Sequence, residues 1–160
     1  MSRTKKLAAL ASTTAAAALA VAATATPAMA WTAGDFTATL NGNMVIDAGI
    51  AAECTDSTLS GTIDADGNLT ITSASVSGCG VTVTPQGLPW SGSLDNGVAS
   101  LNGFSMSAIG CTYGGDITGG FTGTDLPVSA TFTEQTVSKT GGWLCPGSAT
   151  VTATYDFAAA

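Results

Sequence analysis

The chain has 160 residues, with four basic side chains against eleven carboxylates and no histidine. Three of the basic residues, Arg3, Lys5 and Lys6, lie at the very start, so residues 31–160 carry Lys139 alone and a net charge of about −10. That charge disfavours binding to nucleic acid or to anionic lipid, both of which need clustered Lys and Arg. The scarcity of His, Lys and Arg also removes most general bases, and we expect no enzymatic activity.

The first thirty residues have the three parts of a secretion signal. A basic head precedes an apolar stretch, residues 7–23, and Ala28-Met29-Ala30 is an A-x-A cleavage site. The apolar stretch is too short to span a bilayer, and nothing after it approaches the roughly eighteen apolar residues that a span requires. The sequence thus predicts a signal peptide, residues 1–30, and one secreted domain, residues 31–160. We expect that domain in the medium or at the cell surface, without a transmembrane segment.

Short stretches in which apolar residues alternate with Thr or Ser predict β-strands. The stretches 36–40, 128–132 and 151–157 show this period of two, and Gly-containing turn dipeptides such as Asp66-Gly67 separate the predicted strands. Because no window after residue 30 sustains a helical apolar pattern free of Gly, helices should be minor or absent. We predict an all-β domain, an antiparallel β-sandwich or barrel-like fold. Its predicted inward-facing residues are Phe36, Leu40, Ile63, Ile71, Phe132, Val151 and Tyr155.

The four cysteines, Cys54, Cys79, Cys111 and Cys145, predict two structural disulfides in an exported chain. Their spacing lacks the close pairs of a zinc site or a C-x-x-C redox centre. Three connectivities are possible from the count alone.

The clearest predicted hairpin, residues 58–76, favours one of these connectivities. Cys54 and Cys79 lie almost symmetrically about its Asp66-Gly67 turn, which would bring the two cysteines nearly opposite each other. If Ile63 pairs with Leu69, the two cysteines are one residue out of register with each other, and a β-bulge could absorb this difference. We therefore predict Cys54–Cys79 and, by exclusion, Cys111–Cys145.

The segment Asp64-Ala-Asp66-Gly-Asn68 begins like a calcium loop. Leu69 and Ser75 stand where an EF-hand needs Gly and Glu, and Asp, Gly and Asn are also the residues of a hairpin turn. We interpret the segment as a turn, with a calcium site of another type left open. No pair of carboxylates stands out for glycoside hydrolysis, and Lys139-Thr-Gly141 lacks the motifs that accompany K-T-G in penicillin-binding proteins. We predict no catalytic residue, no metal ligand and no cofactor.

Loop-end aromatic residues are the main source of apolar contact surface in a domain with Thr- and Ser-rich outer faces. Leu88 and Trp90 lie on one such segment and Trp143 on another, which the predicted second disulfide would bring close to Tyr113. Leu88, Trp90, Tyr113 and Trp143 are the candidate apolar contact residues, and core packing is the alternative role for the two tryptophans. Trp31, at the predicted mature N-terminus, is expected to be the most exposed tryptophan.

The cysteine spacing, together with Gly87-Leu-Pro-Trp90 and the segment 111–119, resembles small secreted bacterial proteins of the alkane-oxidation protein activator (PraB-like) family. The likeness covers about residues 36–157. It implies an exported, non-enzymatic protein that helps cells to use or contact hydrophobic substrates such as alkanes. Roles at the cell surface or in an extracellular matrix are compatible with it.

Two other functions stay open from the sequence. The first is a structural or matrix subunit that self-associates by β-strand addition, with residues 31–40 as the donated strand, because small Gly/Thr/Ser strands are weakly specified in register. The second is a β-sandwich that carries a small ligand, as the acidic apoproteins of the neocarzinostatin type do. The cysteines of those proteins close shorter loops than the cysteines of this chain.

Overall fold

The computed structural model describes residues 30–160, which form eleven β-strands and no helix, so no helix there could cross a membrane. The predicted signal peptide, residues 1–30, lies outside the described residues apart from Ala30. The prediction of an all-β domain is confirmed. The strands are β1 (Gly34–Leu40), β2 (Met44–Asp47), β3 (Ala51–Cys54), β4 (Asp56–Ile63), β5 (Asn68–Ser77), β6 (Val83–Pro85), β7 (Trp90–Asp95), β8 (Val98–Ala108), β9 (Cys111–Phe121), β10 (Val128–Gly141) and β11 (Ser148–Ala159).

Eight of the strands close into an antiparallel barrel in the order β1-β4-β5-β7-β8-β9-β10-β11, and β11 pairs back with β1. Ala38 of β1 faces Leu59 on one side and Phe157 on the other. Of the two architectures that the sequence allows, the structure therefore adopts the barrel. We call these eight strands the closed ring. The three remaining strands are additions: β2 and β3 extend from β11, and β6 pairs with β8.

The additions are accommodated because β8 to β11 are longer than the other strands of the ring and continue beyond it. The first half of β8 pairs with β7, whereas Met106 and Ala108 near its end pair with β6. In β11, residues 155–159 pair with β1 and residues 150–152 pair with β2. The order β3-β2-β11-β10-β9-β8-β6 thus forms a second level, which we call the open tier. Among residues 30–160, β3 pairs only with β2 and β6 only with β8, so the open tier has two free edges.

The predicted hairpin and disulfide pairing are confirmed. Strands β4 and β5 pair with Ile63 opposite Leu69, and a bulge between Ser60 and Gly61 absorbs the one-residue shift. The two disulfides join Cys54 to Cys79 and Cys111 to Cys145.

The inward face of the ring is the apolar face of the period-two pattern. Of the seven predicted inward residues, six are buried and Leu40, the last residue of β1, is half-buried. The rings of Phe36 and Phe157 pack with their centroids 5.5 Å apart. The alternation of Thr with apolar residues therefore identifies most of the core from the sequence.

A buried hydrogen-bonded pair lies within this core. Ser57 Oγ donates to the carbonyl oxygen of Ser75 at 2.8 Å and lies 2.7 Å from Tyr155 Oη. Because the hydroxyl proton of Ser57 is used by Ser75, Tyr155 is the donor to Ser57. Burial raises the pKa of Tyr155 to about 12, because it disfavours the phenolate.

The prediction that Trp31 is the most exposed tryptophan is wrong, since only 5% of its surface is accessible. Its backbone nitrogen donates to the carbonyl oxygen of Ala65 at 3.0 Å, and its ring lies 5.7 Å from the ring of Phe121. The indole fits because Gly67 has no side chain: a Cβ there would lie 2.6 Å from Trp31 Nε1. The next residue, Thr32, donates hydrogen bonds from its backbone nitrogen and its hydroxyl group to the carboxylate of Asp125.

Residues 31–40 are not a free strand, contrary to the expectation for a donated segment. Strand β1 is hydrogen-bonded to β4 and to β11, so it has no unpaired edge. Donating it to another copy would open the closed ring and remove Phe36 and Ala38 from the core. This placement makes strand donation costly for the folded domain.

Candidate functional site

The open tier encloses an apolar cavity of about 330 Å³. Every strand of the tier contributes to its lining, and β1, β4, β5 and β7 of the closed ring do not. One residue from each contributing strand illustrates the arrangement: Ile46, Ala52, Val83, Met106, Tyr113, Val137 and Val151. The cavity is therefore a product of the extra strands β2, β3 and β6, which complete a wall that the long strands alone would leave incomplete.

Large apolar side chains surround the mouth of the cavity. Of the six large apolar residues that are exposed among residues 30–160, five line the cavity and only Val98 does not. The five, which we call the apolar rim, are Ile50 (86% exposed), Val81 (37%), Ile109 (79%), Trp143 (90%) and Leu144 (88%). They lie on four different segments that meet at this end of the barrel, so the rim is a contiguous surface and not a set of isolated side chains.

The turn that carries Ile109 has a conformation that disfavours this residue. Ile109 and Gly110 link β8 to β9 with φ of 51° and 75°, the two positive values of a type I′ turn. A β-branched residue at positive φ is a genuine outlier, because its Cβ crowds the backbone. The β7–β8 turn at the other end of the molecule has the same conformation, with φ of 49° and 79°, and uses the favoured pair Asn96-Gly97. The chain thus accepts strain in the rim turn that it avoids in the equivalent turn at the other end.

The segment that carries Trp143 and Leu144 is held against the β8–β9 turn. The Cys111–Cys145 disulfide joins the segment to the start of β9. A Cβ on Gly142 would lie 2.7 Å from Cys145 Sγ and 3.0 Å from Cys111 Cα, so only glycine permits this close approach. Leu144, which is exposed, also has a positive φ, 61°.

Among the described residues that line the cavity, Tyr113 supplies the only hydroxyl group and none has a charged side chain. The residue is buried, and its Oη has no hydrogen-bond partner among residues 30–160. An unpaired buried hydroxyl is uncommon in proteins because it loses its hydrogen bonds to water without replacement.

The structure separates the four candidate contact residues into two groups. Tyr113 and Trp143 line the cavity, whereas Leu88 and Trp90 do not. Trp90 is only 1% exposed, its Nε1 donates to the carbonyl oxygen of Gln86 at 2.8 Å, and its ring lies 5.1 Å from that of Phe104. Trp90 therefore has the core-packing role that the sequence left as the alternative, and it does not join Trp143 at the cavity. Contact by Tyr113 and Trp143 with a ligand stays a prediction.

Leu144 lies next to Trp143 on the predicted contact segment, but sequence reasoning missed the other three residues of the rim: Ile50, Val81 and Ile109. A signal for two of them exists in the sequence, since Ile50 follows Gly49 and Ile109 precedes Gly110 at turns where polar residues are usual. A large apolar residue at such a position is exposed by the turn itself.

The acidic turn at Asp64 has a structural role. Its carboxylate accepts hydrogen bonds from the side-chain amide and the backbone nitrogen of Asn68 and from the backbone nitrogen of Asp66, and these bonds lower the pKa of Asp64. No group of three or more His, Cys, Asp or Glu that could hold a metal ion occurs within residues 30–160. Lys139 is exposed on β10, outside the cavity lining.

Comparison with known proteins gives one informative result. Neither the curated proteins nor the solved structures include a match to this chain. A family model does match, over residues 1–159, and its description is alkane oxidation protein activator PraA/PraB-like. The chain therefore belongs to the PraA/PraB-like family of alkane oxidation protein activators.

Proposed function

We propose that this protein is an exported, non-enzymatic accessory that contacts hydrophobic material through the apolar rim. The observation that carries the proposal is Ile109, an exposed β-branched residue at positive φ in a turn that favours Asn. A strained backbone at an exposed position points to a function, because stability alone would select against it. The family description, an activator of alkane oxidation, supports a hydrophobic target.

The charge of the protein narrows the kind of surface that the rim can meet. Eleven carboxylates against Lys139 repel anionic lipid headgroups. An uncharged hydrocarbon phase lacks this repulsion and accepts the side chains of Trp143, Leu144 and Ile109 directly. We therefore propose neutral hydrophobic compounds or surfaces as the partner.

The contribution of Trp143 to partitioning can be calculated from the surface area of its ring. An aromatic side chain buries roughly 200 Å² when it is fully covered, which at about 25 cal/mol per Å² sets a ceiling near 5 kcal/mol. A ring that is half inserted at an interface contributes about 2 kcal/mol, or about 30-fold in partitioning.

Partitioning of the purified protein onto hexadecane droplets tests the proposal. The double variant Ile109→Asn with Trp143→Ser should partition at least 30-fold less than the unchanged protein. Val98→Thr is the matched control, because Val98 is the exposed large apolar residue that lies away from the rim. Equal partitioning of the double variant and the control would refute the proposal.

A self-assembling subunit is the competing proposal, and size-exclusion chromatography separates the two. An accessory protein should elute as a monomer at all concentrations. SDS-resistant polymers that disappear when residues 31–41 are deleted would instead favour strand donation, and would mean that β1 leaves its place between β4 and β11.

A further inference from the structure

Contact with a hydrophobic surface does not require the cavity that lies beneath the rim. The tips of Trp143, Leu144, Ile50 and Ile109 suffice to adhere to a droplet, whereas a cavity of about 330 Å³ admits a whole small molecule. Its lining consists almost entirely of aliphatic and aromatic side chains. That lining suits a hydrocarbon chain.

The buried hydroxyl group of Tyr113 adds one polar requirement for a ligand, a hydrogen-bond acceptor. The chain satisfies its other buried tyrosine, since Tyr155 Oη lies 2.7 Å from Ser57 Oγ. Tyr113 lines the cavity, and its Oη is buried without a partner among the described residues. A ligand oxygen that reaches this hydroxyl group from the cavity would supply the missing acceptor.

We propose that the cavity binds the chain of one uncharged aliphatic alcohol, with the alcohol oxygen accepting a hydrogen bond from Tyr113. An unsubstituted alkane would leave Tyr113 unpaired. A carboxylate would be buried without a positive partner, because the lining contains no Lys or Arg and the described residues are strongly acidic. The inference rests on the proposed function in one respect, that the rim receives hydrophobic molecules.

Displacement of the dye Nile red by 1-decanol and by n-decane measures the two affinities separately. Tyr113→Phe should weaken 1-decanol binding by about 2- to 10-fold, the effect of one hydrogen bond, and leave n-decane binding unchanged or stronger. An equal effect on both compounds, or no effect on either, would overturn the role of Tyr113.

A second variant tests whether the cavity is the site. Ala108 is half-buried and lines the cavity, so Ala108→Leu should abolish displacement by 1-decanol. Ala74→Leu is the matched control, because Ala74 is equally half-buried but lies outside the lining. Ala52→Leu fills the same cavity from β3 and replaces Ala108→Leu if that variant does not fold. Undiminished 1-decanol binding in the filled variant would overturn the proposal.

Droplet partitioning separates this inference from the proposed function. A filled cavity leaves the rim in place, so Ala108→Leu should still partition onto hexadecane. If the unchanged protein partitions onto droplets but does not bind 1-decanol, the cavity inference fails and the proposed function stands. If 1-decanol binds and the rim variant still partitions normally, the proposed function fails.

Discussion

The substitution Ile109→Asn should stabilise the protein although it removes a large apolar side chain. Ile109 occupies the first central position of a type I′ turn with φ of 51°, and Gly110 follows with φ of 75°. A left-handed conformation costs an ordinary residue roughly 1–2 kcal/mol, and Asn bears it most easily after Gly. Because Ile109 is 79% exposed, little packing energy is lost with its side chain. We expect a net gain of about 1 kcal/mol in the free energy of unfolding.

Chemical denaturation measures this gain directly, and thermal unfolding should show a rise in Tm of about 3–5 °C for a domain of this size. The reciprocal substitution, Asn96→Ile, places isoleucine in the turn with the same φ values at the opposite end of the molecule. It should cost about as much as Ile109→Asn gains. The reasoning is refuted if Ile109→Asn destabilises the protein, or if Asn96→Ile is without effect.

Two further predictions concern the core. The pKa of Tyr155 rises from 10.0 to about 12 on folding, so its contribution of about 3 kcal/mol is complete below pH 10 and is lost as the pH rises to 12. Tyr155→Phe should remove this part of the pH dependence of the unfolding free energy, and an unchanged alkaline profile would contradict the assignment. Trp90→Ala should cost about 3–5 kcal/mol of stability, whereas Trp143→Ala should stay within about 0.5 kcal/mol. Urea denaturation measures both values. Similar losses of unfolding free energy for the two variants would contradict either the burial of Trp90 or the exposure of Trp143.

The features predicted correctly from the sequence are those that depend on neighbouring residues. The β4–β5 hairpin follows from strand alternation on both sides of Asp66-Gly67. Its symmetry then brings Cys54 and Cys79 together, and the second disulfide follows by exclusion. The hairpin and the first disulfide involve residues fewer than thirty positions apart, where turn geometry fixes the register.

Closure of the ring could not be predicted in this way. It depends on pairing between β1 and β11, in which Phe36 faces Ala159. Strands so far apart in the chain have no turn to set their register, and alternation of the same kind occurs in almost every strand. The sequence therefore left sandwich and barrel open.

Trp31 and Trp90 show why exposure is harder to predict than strand position. The sequence predictions for both rest on their place in the chain, Trp31 at the predicted mature N-terminus and Trp90 at a loop end. Trp31 is buried because Gly67, thirty-six residues away, leaves space for its indole. Trp90 is buried because it starts a strand of the closed ring and its ring packs against that of Phe104, fourteen residues away. Both reasons are tertiary contacts that no local pattern reports.

The open tier differs from the rest of the barrel in the residue it uses in a type I′ turn and in the pairing of a buried tyrosine hydroxyl group. At the far end a type I′ turn uses Asn96, and within the ring the buried hydroxyl group of Tyr155 is paired. At the open tier the equivalent turn uses Ile109, and the hydroxyl group of Tyr113 is unpaired. Each departure costs stability, and the chain demonstrates that it can avoid each one. Since natural proteins break such local rules mainly where function requires it, their joint occurrence around one cavity supports the proposed binding at this end of the barrel.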